Sequence, residues 1–133
     1  MAKILILDDS KEQLELFIIV LGKYGFEIRT VTSKYQLNDM LLYYIPDLVI
    51  IDIRLRGADG REICKDLRST SFAKDIPIFL TSADPELLKK YEDWGATDII
   101  EKPFDINDMM GKVSKWTDIY KQLKSDFPSE TFV

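Results

Sequence analysis

Apolar residues cluster in five short segments of the chain, and the segments between them repeat apolar residues with helical spacing. The five segments are Ile4–Leu7, Glu27–Val31, Leu48–Ile51, Ile76–Leu80 and Asp98–Ile100. Most are continuous rather than alternating, which is typical of strands buried on both faces of a parallel sheet. The pattern therefore predicts five strands, each followed by a helix.

The first predicted helix divides its apolar residues between two sides. The residues that we expect to face the sheet are Leu14, Phe17, Ile18 and Leu21. Leu16 and Ile19 then point away from the sheet. Ser10 and Gln13 form a capping-box pattern before the stripe, which places the start of the helix directly after Asp9.

The last two predicted helices have apolar stripes of different lengths. The fourth begins at Pro85 and runs through Trp94, and Gly95 follows it. The stripe of the fifth consists of Ile106, Met109, Met110, Val113, Trp116, Tyr120 and Leu123. We expect the first half of this helix to cover the sheet and its far end to extend beyond it.

Five strand–helix units favour an α/β fold. Right-handed crossovers give a doubly wound parallel sheet with helices on both faces. For five strands the expected arrangement is the flavodoxin-like (βα)5 fold with strand order 2-1-3-4-5. No repeat or linker interrupts the chain, so we expect one domain over residues 1–125 and a short tail over 126–133.

The amino-acid composition argues against several classes of function. The net charge of −5 argues against binding to nucleic acid or anionic membranes, which both require basic surfaces. Histidine is absent, which excludes a histidine general base, and the single cysteine cannot form an internal disulfide. No segment is long enough for a signal peptide or a membrane span, and we expect a soluble cytoplasmic protein.

Polar residues follow the predicted strands at the edge where such sheets bind ligands. Asp8 and Asp9 follow the first strand, Asp52 the third, Thr81 the fourth and Lys102 the fifth. Three carboxylates on neighbouring strands repel each other unless a hard cation such as Mg²⁺ compensates. A carboxylate can then act as a nucleophile toward a phosphoryl group, whose oxygens need partners such as the metal, a lysine and a hydroxyl.

Each of these residues also has an ordinary structural interpretation. An acidic pair before a helix usually caps it, a hydroxyl before a proline often belongs to a turn, and most lysines are solvated. The combination at successive strand ends is what indicates a phosphoryl-transfer site.

The motifs together resemble the receiver domain of two-component response regulators over about residues 3–124. The matching pieces are Ile6–Ser10, Val49–Leu55, Gly57–Gly60, Leu80–Ala83, Trp94–Ala96 and Lys102–Phe104. The resemblance implies that Asp52 is the phosphoacceptor and that Thr81 and Lys102 contact the phosphoryl group. It also implies Mg²⁺, or Mn²⁺, bound directly by Asp9, Asp52 and the backbone carbonyl of Arg54, and through water by Asp8. The Lys102–Pro103 bond is often cis in this family.

Ile99 departs from the family pattern, because the family often has an aromatic switch residue at this position. An isoleucine has no ring to move between inward and outward states, so the usual coupling between Thr81 and a ring cannot operate in the same way.

The resemblance also implies partners. These are a sensor histidine kinase or a histidine phosphotransfer protein, and a downstream protein target. We expect docking of the phosphoryl donor near Leu16 and Ile19 on the first helix, no direct nucleic-acid or membrane binding, and a homodimer contact through helix 4, strand 5 and helix 5. The chain is not expected to be an enzyme beyond its own phosphorylation and dephosphorylation.

Three alternatives compete with this interpretation. A haloacid-dehalogenase-type phosphatase needs an Asp-x-Asp arrangement, but Ser10 and Arg54 stand two residues after Asp8 and Asp52. A flavin carrier needs a phosphate loop where Asp8 and Asp9 would repel the phosphate. The third keeps the fold: we favour a stand-alone receiver, and the chain as the N-terminal receiver of a larger DNA-binding or enzymatic regulator stays open.

Overall fold

The computed structural model describes residues 1–126, with side chains for residues 1–122, and its centre is a five-stranded sheet. The strands are β1 (Lys3–Leu7), β2 (Glu27–Val31), β3 (Leu48–Asp52), β4 (Ile78–Ser82) and β5 (Asp98–Glu101). They pair in parallel in the order β2-β1-β3-β4-β5. The predicted flavodoxin-like topology is therefore confirmed.

Helices cover both faces of the sheet. They are α1 (Lys11–Lys23), α2 (Lys34–Leu41), α3 (Gly60–Arg68), α4 (Pro85–Leu88), a 3₁₀ helix (Tyr91–Trp94) and α5 (Ile106–Asp126). One apolar cluster joins the sheet to α1 and α5, and the other joins it to α2, α3 and α4. The predicted tail from 126 lies outside the described residues except for Asp126, and so does the side chain of Leu123.

The central strands are buried because both faces of the sheet are covered. Along β1, Leu5 and Leu7 enter the cluster with α2 and α3, whereas Ile4 and Ile6 enter the cluster with α1 and α5. β4 begins at Ile78, two residues later than predicted from Ile76. Pro77 has no N–H to donate, and the Ile78 N–H bonds to the Thr97 hydroxyl instead, at 3.1 Å.

The prediction for the sheet-facing side of α1 is wrong at one position. Ile18 is 44% exposed, whereas Val20 is buried beside Leu14, Phe17 and Leu21. At about 100° per residue, Ile18 and Val20 flank the arc of Leu14, Phe17 and Leu21 on opposite sides, and α1 packs so that the side with Val20 is buried. Leu16 and Ile19 are exposed as predicted, at 43% and 57%.

The prediction of one continuous fourth helix is also wrong. Lys89 is extended and Lys90 adopts a left-handed conformation with φ 55°, so α4 ends after a single turn. A 3₁₀ turn then leads to Gly95, whose φ of 88° provides the expected left-handed stop. In α5 the first residue of the predicted stripe, Ile106, is 46% exposed, and burial begins at Met109.

Candidate functional site

The carboxyl ends of β1 and β3 bring the predicted acidic residues together. Leu7 pairs with Ile51, so Asp8 and Asp52 follow on adjacent strands, and Asp52 itself pairs with Thr81 of β4. Carboxylate oxygens of Asp8, Asp9 and Asp52 lie within 4.8 Å of one another. The three residues therefore form one acidic cluster, although Asp8 and Asp9 are far from Asp52 in sequence.

A short hairpin and a glycine hold the backbone after Asp52. Arg54–Leu55 pairs with Ala58–Asp59, and Gly57 turns the chain with φ 72°. At the start of α3, the Gly60 N–H donates to the Ile53 carbonyl at 2.8 Å. A Cβ on Gly60 would collide with the backbone carbonyl of Asp52 and lie 2.9 Å from Ile51 Cγ2. Only glycine allows this approach without displacing the acceptor strand.

Lys102 joins the fifth strand to the cluster. Its Nζ lies 2.8 Å from Asp8 Oδ2 and 3.6 Å from Asp52 Oδ1. The Asp8 side chain is only 1% exposed, and its other oxygen accepts from the Ser10 N–H at 2.9 Å. The Lys102 N–H bonds to the Ser82 carbonyl at 2.9 Å, and the following Lys102–Pro103 bond is cis. One ammonium group thus lies against two of the three carboxylates.

Asp9 is held by the loop on the other side of the cluster. Its Oδ2 accepts a hydrogen bond of 2.7 Å from the Arg56 N–H in the hairpin turn. Asp9 is also more exposed to solvent than Asp8. This contact fixes the acidic pair to the hairpin that follows Asp52.

Burial raises the pKa of Asp52 to about 6, against the attraction of Lys102 and with repulsion from Asp8 and Asp9. The Arg54 N–H acts in the opposite direction and lowers this pKa. The carboxylate is therefore ionised at neutral pH at a cost in free energy, and any added positive charge at this place stabilises it.

The hydroxyl of Thr81 is buried and has no hydrogen-bond partner among the described residues. Buried hydroxyls normally find a partner, and those that do not often mark a ligand position. Mg²⁺ prefers oxygen ligands such as carboxylates, and three carboxylates here lie beside one lysine. The residues present therefore fit a divalent cation and an oxyanion beside Asp52.

The remaining predicted residues lie around this cluster. Arg54 directs its side chain to Asp84 at 2.8 Å. Ile99 lies beside Leu80, is half-buried against the cluster with α2, α3 and α4, and accepts a hydrogen bond from Lys112 Nζ at 2.8 Å. Leu16 and Ile19 lie outside the acidic cluster, on the exposed side of α1.

The sequence did not indicate the contacts of Arg56 and Asp84. The Arg56 contact uses a backbone N–H, which any residue except proline can provide, so no side-chain pattern announces it. The ion pair between Arg54 and Asp84 joins residues 30 positions apart in sequence. Gly60 belonged to a recognised motif, but its contact with the Asp52 carbonyl became visible only in the structure.

The fold and the site define a doubly wound α/β protein with an acidic pocket at the carboxyl ends of its strands. The family model for the response regulator receiver domain matches residues 4–114. The chain belongs to the response regulator receiver domain family.

Individual relatives agree with this assignment. The DNA-binding dual master transcriptional regulator RpaA of Synechocystis is 30% identical over 115 residues, which are 85% of this chain and 48% of that protein. The chain thus spans about half the length of this curated relative. The Thermotoga maritima response regulator TrrA, solved with Mg²⁺-BeF, has a TM-score of 0.79 and 29% identity, covering 87% of this chain and 99% of that chain. The chemotaxis response regulator CheY4 of Vibrio cholerae has a TM-score of 0.78 and 26% identity, covering 87% and 98%.

None of the helices in the described part of the chain combines the length and the apolar character that crossing a membrane requires.

Proposed function

We propose that this receiver accepts a phosphoryl group on Asp52 in a reaction that depends on Mg²⁺ or Mn²⁺. The observation that carries the proposal is the acidic cluster within 4.8 Å, with Lys102 on one side and, in the adjacent strand, the Thr81 hydroxyl, which has no hydrogen-bond partner in the described part of the chain. Asp9, Asp52 and the Arg54 carbonyl would hold the metal directly, and Asp8 through water. When bound, the metal offsets the carboxylate charge and attracts phosphoryl oxygens.

Besides the metal, the transfer uses groups that this chain provides around the donor. An oxygen of Asp52 forms a bond to phosphorus while the bond between phosphorus and the donor nitrogen breaks, and the electron pair returns to the donor imidazole. Lys102 Nζ offsets the charge of one phosphoryl oxygen, and the Thr81 hydroxyl donates to another. The chain acts on no other substrate and would catalyse only its own phosphorylation and dephosphorylation.

Mass spectrometry after incubation with acetyl phosphate and Mg²⁺ tests this function. We expect one added phosphoryl group in the unmodified protein and in Asp66→Asn, an exposed acid on α3, but none in Asp52→Ala. Asp9→Ala should weaken Mg²⁺ binding strongly, as read by calorimetry. A phosphoryl group that persists in Asp52→Ala would identify a different acceptor.

The donor is a sensor histidine kinase or a histidine phosphotransfer protein, and α1 is the proposed docking side. Leu16 and Ile19 are exposed on a helix that begins at Lys11, two residues after Asp9. Ile18 is exposed as well, at 44%, on the flank of the same helix. Leu16→Ser combined with Ile19→Ser should slow transfer from the cognate donor and leave labelling by acetyl phosphate unchanged. Equal transfer rates would remove these residues from the interface.

The output is a change in binding to a downstream protein, with no direct nucleic-acid contact by this chain and no membrane contact. A homodimer through α4, β5 and α5 is part of the proposal, and sedimentation with and without beryllofluoride tests it. The alternative is a receiver that forms the N-terminal part of a larger regulator. The similarity to half of the DNA-binding regulator RpaA supports that alternative.

A further inference from the structure

An ion pair crosses the edge of the sheet above the proposed phosphoacceptor. Arg54 follows β3 and Asp84 follows β4, and their side chains meet at 2.8 Å. Because Asp52 and Thr81 are paired at the ends of these two strands, the ion pair connects the two loops that leave the site. The Arg54 N–H also lowers the pKa of Asp52, so the backbone of Arg54 adjoins the acceptor carboxylate.

Asp84 links this ion pair to α4. Its Oδ1 accepts from the Glu86 N–H at 3.0 Å and caps the helix, while its Oδ2 accepts from Arg54. α4 is a single turn of four residues, and the Lys89 and Lys90 backbone conformations end it. A helix this short depends on its cap and its packing, because a single turn has little stability of its own. A change at Asp84 therefore acts directly on α4.

Phosphorylation of Asp52 would offer the Arg54 guanidinium a second anionic partner that competes with Asp84. The Arg54–Asp84 pair is weakly held, since the two side chains are 69% and 33% exposed. A phosphoryl group on Asp52 adds negative charge and three acceptor oxygens next to the Arg54 backbone. Guanidinium groups bind such oxygens in a bidentate manner, and Arg54 has donors beyond the one used on Asp84.

We propose that Arg54 is a positioning residue that exchanges Asp84 for the phosphoryl group when Asp52 is phosphorylated, and that this exchange transmits the event to the cap of α4. The inference rests on the proposed function, since it needs a phosphoryl group at Asp52. It provides a route to α4 that does not require a ring at Ile99. Thr81 and Lys102 still hold the phosphoryl group from the other strands.

Binding of beryllofluoride with Mg²⁺ to Asp84→Asn tests the exchange. Asparagine caps helices as well as aspartate does, so the variant keeps the cap and removes the charge that competes for Arg54. The matched control is Glu86→Gln, which removes an equal charge two residues away and interrupts the exposed pair with Lys89. We expect Asp84→Asn to bind beryllofluoride about two- to five-fold tighter than the control, the range that an exposed ion pair allows.

A double-mutant cycle with Arg54→Gln supplies the second measurement. The increase in beryllofluoride affinity caused by Asp84→Asn should disappear in the Arg54→Gln background, because that background has no guanidinium for the substitution to release. The amide resonance of Glu86 should move on beryllofluoride binding in the unmodified protein and move less in Arg54→Gln. Equal affinities of Asp84→Asn and Glu86→Gln, or an equal Glu86 shift with and without Arg54, would overturn the exchange while leaving phosphorylation intact. Failure of the unmodified protein to bind beryllofluoride would overturn the proposed function and this inference with it.

Discussion

The two ends of the sheet hold their polar groups in opposite ways. At the amino end, the Arg68 guanidinium donates hydrogen bonds to several groups of the chain. The acceptors are the carbonyl oxygens of Gly95, Ala73, Lys74 and Ile76 and the hydroxyl of Thr97. At the carboxyl end, three clustered carboxylates lie beside the single ammonium group of Lys102, and the Thr81 hydroxyl has no partner among the described residues.

This difference separates a structural use of partly buried charge from a functional one. A charge whose hydrogen bonds are completed within the chain fixes the loops around it, and its removal leaves those loops unsatisfied. A cluster with excess negative charge instead reduces the stability of the free protein, and the binding of a cation removes this cost. Substitutions at each end of the sheet can therefore break or sharpen the contrast.

The largest effect is expected at the amino end. Arg68→Ala should lower the free energy of unfolding by about 3 kcal/mol, because several carbonyl oxygens lose a charged donor. Urea denaturation provides the measurement, and Lys65→Ala, an exposed cation on the same helix, should change stability by less than about 0.5 kcal/mol. A loss below about 1 kcal/mol for Arg68→Ala would show that water replaces the guanidinium readily.

At the carboxyl end, the next largest effect is expected at one backbone position. Gly60→Ala should destabilise the protein by about 2 kcal/mol, since its Cβ meets the Asp52 carbonyl. Labelling of Asp52 by acetyl phosphate should fall as well, because the acceptor strand shifts.

Gly111→Ala is the control for that substitution. Gly111 lies inside α5, and a Cβ at this position would have no heavy atom within 4 Å outside the backbone of its own helix. Alanine there should add about 0.5–1 kcal/mol of stability. Similar effects of the two substitutions would contradict the close contact at Gly60.

Charge removal at the carboxyl end should stabilise the free protein. In EDTA, Asp52→Asn should raise the free energy of unfolding by about 1–3 kcal/mol at pH 7.5, an upper value set by the pKa rise from 3.8 to about 6. Between these two pKa values the folded wild-type protein binds more protons than the unfolded chain, so its stability decreases as pH rises. The advantage of the variant should therefore be small near pH 4, grow up to about pH 6 and stay constant above it. If the difference in free energy of unfolding between Asp52→Asn and the wild-type protein did not depend on pH, it would have to come from packing rather than from charge.

The sequence predicted the functional end better than the structural end. Strand order and the acid, hydroxyl and lysine positions follow from hydrophobic patterning, because each of Asp8, Asp52, Thr81 and Lys102 lies at or just after the end of a strand that this patterning predicts. Arg68 carried no such signal: its partners are mostly backbone carbonyls, which every residue has.

Errors in the sequence-based prediction arose where tertiary packing decides local structure. The spacing of apolar residues predicted a continuous fourth helix, but it could not show that Lys90 takes a left-handed conformation. It also placed Ile18 toward the sheet, because Ile18 and Val20 lie on opposite sides of the same apolar arc and only the packing of α1 selects between them.

The smallest effect is expected for two buried threonines that differ in hydrogen bonding. Thr81 Oγ1 has no partner among the described residues, whereas Thr117 Oγ1 donates to the Val113 carbonyl at 2.8 Å. Both residues are almost fully buried, at 0% and 1% exposure, so replacement by valine changes similar environments. Thr117→Val should cost about 0.5–1 kcal/mol for the lost hydrogen bond, while Thr81→Val should be neutral or stabilise the free protein by up to about 1 kcal/mol.

With Mg²⁺ and beryllofluoride, Thr81→Val should become less stable than the unmodified protein, because the Thr81 hydroxyl then has an oxyanion or fluoride to bind. The ligand should therefore stabilise Thr81→Val less than the unmodified protein. Thermal unfolding with and without the ligand measures both effects. Equal losses for the two variants in the free protein would mean that the Thr81 hydroxyl is already satisfied before any phosphoryl group arrives, and the contrast between the two ends of the sheet would then rest on the carboxylates alone.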